Sequence, residues 1–295
     1  MVKKKKFTLL LLITLIIIVV TMIFYQAKHP TIHSQSAILM NAESGNILFE
    51  KNTELAYPVA SMSKLMTEYI ILDYIKSGKI HWDDRIIISE SANNIQSGGI
   101  KIPIEIGESL SVKDLFAAMV ISSANNATIA LAEHIAGTEE AFTILMNEKA
   151  TEIGLSDQST FINSTGLPEG EMENEMSAED VAKLAFHLLH DHPEALDMAS
   201  YTEYQMEHSG IQLYTTNKML SEMNSETYFK GVDGLKTGFT NAAGYCFVGT
   251  AQQDNQRLIS VVINAEDDET RFIETKKLLS FGFDKFYLPN FPKVR

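Results

Sequence analysis

The chain has 295 residues, of which 45% are apolar and 21% charged, enough to fill a real core and too apolar for a disordered chain. Its net charge of −14 argues against nucleic acid as a partner, since that needs a basic face. The single cysteine, Cys246, excludes an intramolecular disulfide and a cysteine-built metal site, and reads as a small buried hydrophobe.

Lys3, Lys4, Lys5 and Lys6 precede FTLLLLITLIIIVVTMIFY, residues 7–25, a run without charge. As a helix it spans roughly 28 Å at about 1.5 Å per residue, close to a bilayer core. Lysines ahead of such a run hold that end in the cytoplasm, so the rest of the chain is exported. The exit, FYQAKHP, puts Tyr25 where a signal peptidase needs a small residue, so an uncleaved anchor is favoured over a cleaved signal.

A polar linker is expected over 29–35. SAILMNAESGNILFEKN then reads as a hairpin, and a helical pattern starts near Ser61 after Pro58. RIIIS, 85–89, is strand-like. The middle third is helical. SVKDLFAAMVISSANNATIALAEHIAG opens on a Ser111/Asp114 capping pair, ends at Gly137 and is broken at its centre by polar SSANNA. EEAFTILMNEKATEIGL is a further helix, and SAEDVAKLAFHLLHDHP begins on a second such cap, Ser177 with Asp180. The last third alternates Gly-rich turns with β-rich runs. YCFVGTA and RLISVVIN read as adjacent antiparallel strands, and ETRFIETKKLLSFGFDKF as a closing helix. Strands at both ends around a helical middle imply an α/β (α+β) fold, in which an antiparallel sheet is assembled from both ends of the chain, flanked by helices, with an inserted all-helical subdomain. The expected lobes are α/β for 36–89 and 206–290, and helical for 90–205.

Ser61 and Lys64 form the one S-x-x-K of the chain. Residues i and i+3 share a helix face, and a helix start favours developing negative charge. Lys64 can take the serine proton only if neutral, which needs desolvation or a second cation nearby. A capped helix start with a surface lysine explains the same stretch. Lys236, Thr237 and Gly238, in DGLKTGFT, supply the second cation beside a strand edge that an extended peptide could join, or else a Gly-rich hairpin. S-x-N occurs at Ser44, Ser91 and Ser123. Ser44 sits in a turn context and Ser91 in a loop, whereas Ser123-Ala124-Asn125 interrupts two apolar helices, where polar groups need partners. His187 and His190 have an i, i+3 spacing that could suit a metal, but a polar helix end before Pro193 accounts for them better. The acidic run EGEMENE, 169–175, reads as a solvated loop.

S-x-x-K, S-x-N and K-T-G in this order mark penicillin-binding proteins and class A β-lactamases. With ILMNAESGNILFEKN, FINSTGLPEG, DGLKTGFTNAAGYC, RLISVVINA and KKLLSFGF, the chain resembles the D-alanyl-D-alanine carboxypeptidases, serine peptidases of the S11 type, from about residue 36 to 287. The resemblance implies Ser61 as the acylated nucleophile, Lys64 as its general base and Ser123 as a proton relay. It implies that Asn125 holds the substrate amide, and that Lys236 and Thr237 bind the terminal carboxylate. It assigns the oxyanion hole to the amides of Ser61 and Phe239, carboxylate recognition to Arg271, and a mobile rim loop to QSGGI, 96–100. The implied substrate is a peptidoglycan stem peptide ending in D-Ala-D-Ala, with β-lactams as covalent inhibitors and no cofactor. Many relatives continue into a β-rich domain ending in a membrane helix. This sequence stops at LPNFPKVR, so tethering is expected to fall to residues 7–25, with the catalytic part outside the cytoplasm. A β-lactamase would need an E-x-x-L-N run between the second and third motifs, which the sequence lacks. The same motifs are also compatible with endopeptidase action on cross-links or with a non-catalytic β-lactam sensor.

Overall fold

A computed structural model of the chain describes residues 11–18, 30–95, 99–285 and 287. The expected membrane run 7–25 therefore lies largely outside the described residues, as do residues 96–98 of the expected rim loop. Among the described residues, no helix is long and apolar enough to cross a membrane.

Early and late segments of the chain meet in one antiparallel sheet of strands β1 (Ser36–Asn41), β2 (Ile47–Lys51), β3 (Val232–Thr240), β4 (Gly244–Gln253) and β5 (Gln256–Ala265), in the order β2-β1-β5-β4-β3. Ser36 pairs with Ile263 and Asn41 with Leu258, so the first strand lies in the sheet beside the last. β3 is an outer strand, with Lys236 opposite Val248 and Gly238 opposite Cys246 of β4. Successive residues of a strand face opposite sides. Ile38, Met40, Val248, Ile259 and Val261 accordingly enter one core, while Ala37, Leu39, Phe247, Leu258 and Val262 enter a second. Burial on both faces is why these strands read as continuous apolar runs rather than as alternating ones.

The second core is closed by a helix late in the chain, Thr270–Gly282, through Phe272, Leu278 and Leu279. On the other face lie α1 (Lys64–Lys76), α2 (Val112–Ser122), α3 (Asn125–Ala136), α4 (Glu139–Glu152) and α5 (Ala178–Asp191), with the closing helix numbered α6. α1 is buried continuously from Lys64 to Leu72, as a helix surrounded by others must be. The two capping pairs form: Ser111 Oγ accepts from the Asp114 amide at 3.1 Å, and Ser177 Oγ from the Asp180 amide at 3.0 Å. Of the expected polar linker 29–35, the part from Ile32 onward is hydrogen-bonded to the rest of the fold. Ile32 and Ser34 are buried, Lys51 Nζ donates to the carbonyls of both, and Glu274 accepts from the amides of His33 and Ser34. The acidic run 169–175 is largely exposed, as expected of a solvated loop, but it is anchored at a few points. Glu173 accepts from Thr240 Oγ1 at the end of β3, and Glu175 pairs with Pro58 in a short ladder. The carboxylates of Glu169 and Glu173 accept side-chain hydrogen bonds, whereas Glu171 and Glu175 are exposed, a difference that charge counting alone does not distinguish.

Candidate active site

Ser61 does not stand at the start of an α-helix, as its sequence context suggested. It lies in a 3-10 turn, Ala60–Ser63, and α1 begins only at Lys64. Ala60 adopts φ +48, a left-handed conformation that strains a non-glycine residue. Ser63 turns its hydroxyl back to the Ala60 carbonyl at 2.7 Å and so does not cap α1. Two glycines press on this turn. A Cβ on Gly238 would lie 2.7 Å from the Val59 carbonyl oxygen, and one on Gly166 would lie 2.0 Å from that of Ala60. Only glycine lets β3 and the 163–166 loop come this close to the nucleophile's backbone.

Lys64 is 1% exposed. Its Nζ is 2.9 Å from Ser61 Oγ, 2.7 Å from Asn125 Oδ1 and 2.6 Å from the Thr165 carbonyl. A neutral amine has two N–H donors and one lone pair. Asn125 and Thr165 take the donors, which leaves the lone pair toward the Ser61 hydroxyl. Burial, reinforced by the charge of Lys236, holds Lys64 well below the usual lysine range, against the opposing field of Glu139. This is the direction that a general base requires.

Ser123 ends α2 in the left-handed region, at φ +61, and the polar break in the sequence is the joint between α2 and α3. Asn125 opens α3 buried. Besides accepting from Lys64, it donates from Nδ2 to the Ile100 carbonyl at 2.9 Å. The other two S-x-N matches are elsewhere: Ser44 bonds Asn41 in the β1–β2 turn, and Ser91 is exposed on the short helix Glu90–Asn93. The contact with Lys64 thus singles out the third match.

Lys236 is 2% exposed and donates to the Thr237 carbonyl at 3.1 Å. Burial, then the nearby charge of Arg271, brings it down to about 7, with Glu68 opposing. Arg271 is held behind β3, where Nη1 donates to the carbonyls of Gly238 and Cys246 and Nη2 pairs with Asp268. Phe239 is half exposed, its ring centroid 4.4 Å from that of Tyr245. Cys246 is fully buried and burial pushes its thiol up to about 12, in keeping with an inert hydrophobe. His190 pairs with Asp191, and among the described residues no group of three or more His, Cys, Asp or Glu is arranged to hold a metal.

Three features were not singled out from the sequence. The Thr165 carbonyl meets Lys64 because Asn163 Oδ1 gathers the amides of Thr165 and Gly166 and the Thr165 hydroxyl into one turn. The run Asn163-Ser164-Thr165-Gly166 is a turn signal that could have marked it. Glu68, one turn beyond Lys64, is buried with Oε1 unpartnered, and burial pushes it up to about 8 against the field of Lys236. Thr216 bonds Thr237.

A serine beside a buried lysine, at the joint of an antiparallel sheet and a helical layer, defines the serine penicillin-binding class of fold, and solved structures agree. Penicillin-binding protein D2 from Listeria monocytogenes in its ampicillin-bound form is similar with a TM-score of 0.77 and 32% identity, over 86% of this chain and 99% of that one. Penicillin binding protein 5 from Haemophilus influenzae gives a TM-score of 0.79 and 35% identity over 86% and 72%. The chain belongs to the D-alanyl-D-alanine carboxypeptidase family, whose profile matches residues 24–267. The carboxypeptidase DacF of Bacillus subtilis is 36% identical over 255 residues, 86% of this chain. The chain spans 63% of the length of that relative, and the same share of DacC of Escherichia coli.

Proposed function

We propose that the chain is a serine-type carboxypeptidase that removes the terminal D-alanine from peptidoglycan stem peptides ending in D-Ala-D-Ala. The observation that carries this reading is the buried Lys64 amine 2.9 Å from Ser61 Oγ, with its other two partners supplied by Asn125 and Thr165. Ser61 Oγ attacks the carbonyl carbon of the penultimate D-Ala and its proton passes to Lys64. The peptide C–N bond breaks as a proton reaches the leaving amine through Ser123. Water, deprotonated by Lys64, then cleaves the ester and frees Ser61. The amides of Ser61 and Phe239 stabilise the oxyanion. Lys236 and Thr237 bind the terminal carboxylate. Arg271 supports that subsite from behind, through the Gly238 carbonyl and its charge. Asn125 orients Lys64, and it meets the substrate amide by exchanging its bond to Ile100.

A β-lactam presents a strained amide and a carboxylate to the same groups and acylates Ser61. The catalytic part works outside the cytoplasm on the cell wall, and residues 7–25 tether it to the membrane.

The test is to incubate the chain with pentapeptide muropeptides and with a fluorescent penicillin. Wild type should release D-Ala and become labelled, and Ser61→Ala should do neither. Release of D-Ala by Ser61→Ala would refute the mechanism. Loss of cross-linked dimers in place of terminal D-Ala would assign an endopeptidase, and rapid multiple turnover of the penicillin a β-lactamase.

A further inference from the structure

The segment Tyr214–Asn217 bridges two parts of the site that are far apart in sequence. At one end Ser122 Oγ donates to the Tyr214 carbonyl at 3.0 Å and accepts from its amide at 3.2 Å, while the Thr216 amide donates to the Ile121 carbonyl at 3.2 Å. These contacts fasten it to the last turn of α2, immediately before Ser123. At the other end Asn217, buried, donates from Nδ2 to the Gly234 carbonyl of β3 at 3.5 Å and accepts at Oδ1 from the Met219 amide at 3.0 Å. Between these anchors, Thr216 Oγ1 lies 2.6 Å from Thr237 Oγ1.

A hydroxyl carries one proton and two lone pairs, so in this pair only one threonine donates. If Thr237 donated, it would turn lone pairs toward an incoming carboxylate and repel it. If Thr216 donates, the proton of Thr237 is free for that carboxylate, and its oxygen is polarised by the bond it accepts. We propose that Thr216 is a positioning residue for carboxylate recognition: it commits its hydroxyl proton to Thr237 Oγ1 and so leaves the Thr237 proton to the substrate's terminal carboxylate. This rests on the reading that Lys236 and Thr237 hold that carboxylate. It adds a residue outside the three motifs that selects substrates with a free acid end.

The experiment compares two probes, N-acetyl-D-alanyl-thioglycolate and its methyl ester, which share the reacting carbonyl and differ in the carboxylate. Thr216→Val keeps the shape and removes the proton. It should lower kcat/KM for the free acid up to about tenfold, mainly through KM, as expected for loss of one neutral hydrogen bond that orients and polarises the Thr237 hydroxyl. It should change the methyl ester less than about twofold, and Thr216→Ser should stay near wild type on both. Should the valine variant fold poorly, Thr216→Ala makes the same comparison, because the anchors to Ile121 and Ser122 do not use the Thr216 side chain. Unchanged kinetics on the free acid, or an equal loss on both probes, would overturn the inference and leave a structural role. A wild-type chain that forms no acyl-enzyme on Ser61 with either probe, read by intact mass, would overturn the catalytic reading and the inference with it.

Discussion

Substitution of Gly166 by alanine tests how closely the 163–166 loop governs the nucleophile. Gly166 has φ +77, where an alanine costs on the order of 1–3 kcal/mol. The new Cβ would lie 2.0 Å from the Ala60 carbonyl oxygen and 2.9 Å from Ser63 Oγ. Real Cβ atoms do not approach within 3.0 Å, so the turn holding Ser61 has to move by about 1 Å. Overpacking of this kind adds about 1–3 kcal/mol. At about 2–4 °C per kcal/mol for a domain of this size, the summed cost should lower Tm by roughly 4–24 °C. Displacement of a nucleophile by about 1 Å slows chemistry by about 100-fold. The readouts are a thermal melt and the second-order rate of labelling by a fluorescent penicillin, measured well below the melt. Gly154→Ala is the control: it has a similar φ of +71 but nothing within 4 Å of the new Cβ, so it should lose stability without losing labelling rate. A Gly166→Ala variant labelled within threefold of wild type would refute the claim that this contact sets the position of Ser61.

The pH profile of kcat/KM should fall on the alkaline side as Lys236, at about 7, loses the charge that binds the carboxylate. Glu68, pushed up to about 8, is mostly protonated where Lys236 titrates, so Glu68→Gln should leave that limb nearly in place; a limb moved to lower pH would show that Glu68 is ionised beside the lysine. Ser177→Ala removes a cap from α5 and one of three serine partners of the Asp180 carboxylate, and should cost about 1–2 kcal/mol in a denaturant melt without altering penicillin labelling.

The elements that the sequence displays well are those with local signals. The Asn41–Asn46 turn, the Ser111 and Ser177 caps and the break at Ser123 each depend on a few neighbouring residues, and each forms as expected. The short ladder Ala56–Pro58 with Glu175–Ser177 is only three residues long and leaves no period to detect. The 3-10 turn at Ser61 is equally silent, because Ala60 gives no hint of its positive φ. Within the site, side-chain partners could be named in advance, since S-x-x-K and K-T-G carry their chemistry in residue type. The Thr165 carbonyl could not, because a backbone acceptor has no residue signature and lies 101 residues from Lys64. Thr216 falls in neither group: its hydroxyl matters only because β3 brings Thr237 to it.

Burying two lysines in one site also makes folding a proton-exchange reaction. An unfolded chain keeps Lys236 hydrated and protonated up to the ordinary lysine range near 10.5, whereas the folded chain releases that proton from about 7 upward. Between these limits the unfolded state holds the extra proton, so this group makes the native state progressively more favourable as pH rises, and its full penalty applies below about 7. Lys64 acts in the same direction. Glu68 acts in the opposite sense, holding a proton in the folded state from the usual carboxylate range up to about 8. The opposing exchanges of Lys236 and Glu68 overlap between about 7 and about 8; above that range the lysine release prevails until, from about 9, the Cys246 thiol, which stays protonated in the folded state up to about 12, opposes it. A calorimetric unfolding enthalpy measured near pH 9 therefore contains the ionisation heat of whichever buffer exchanges that proton.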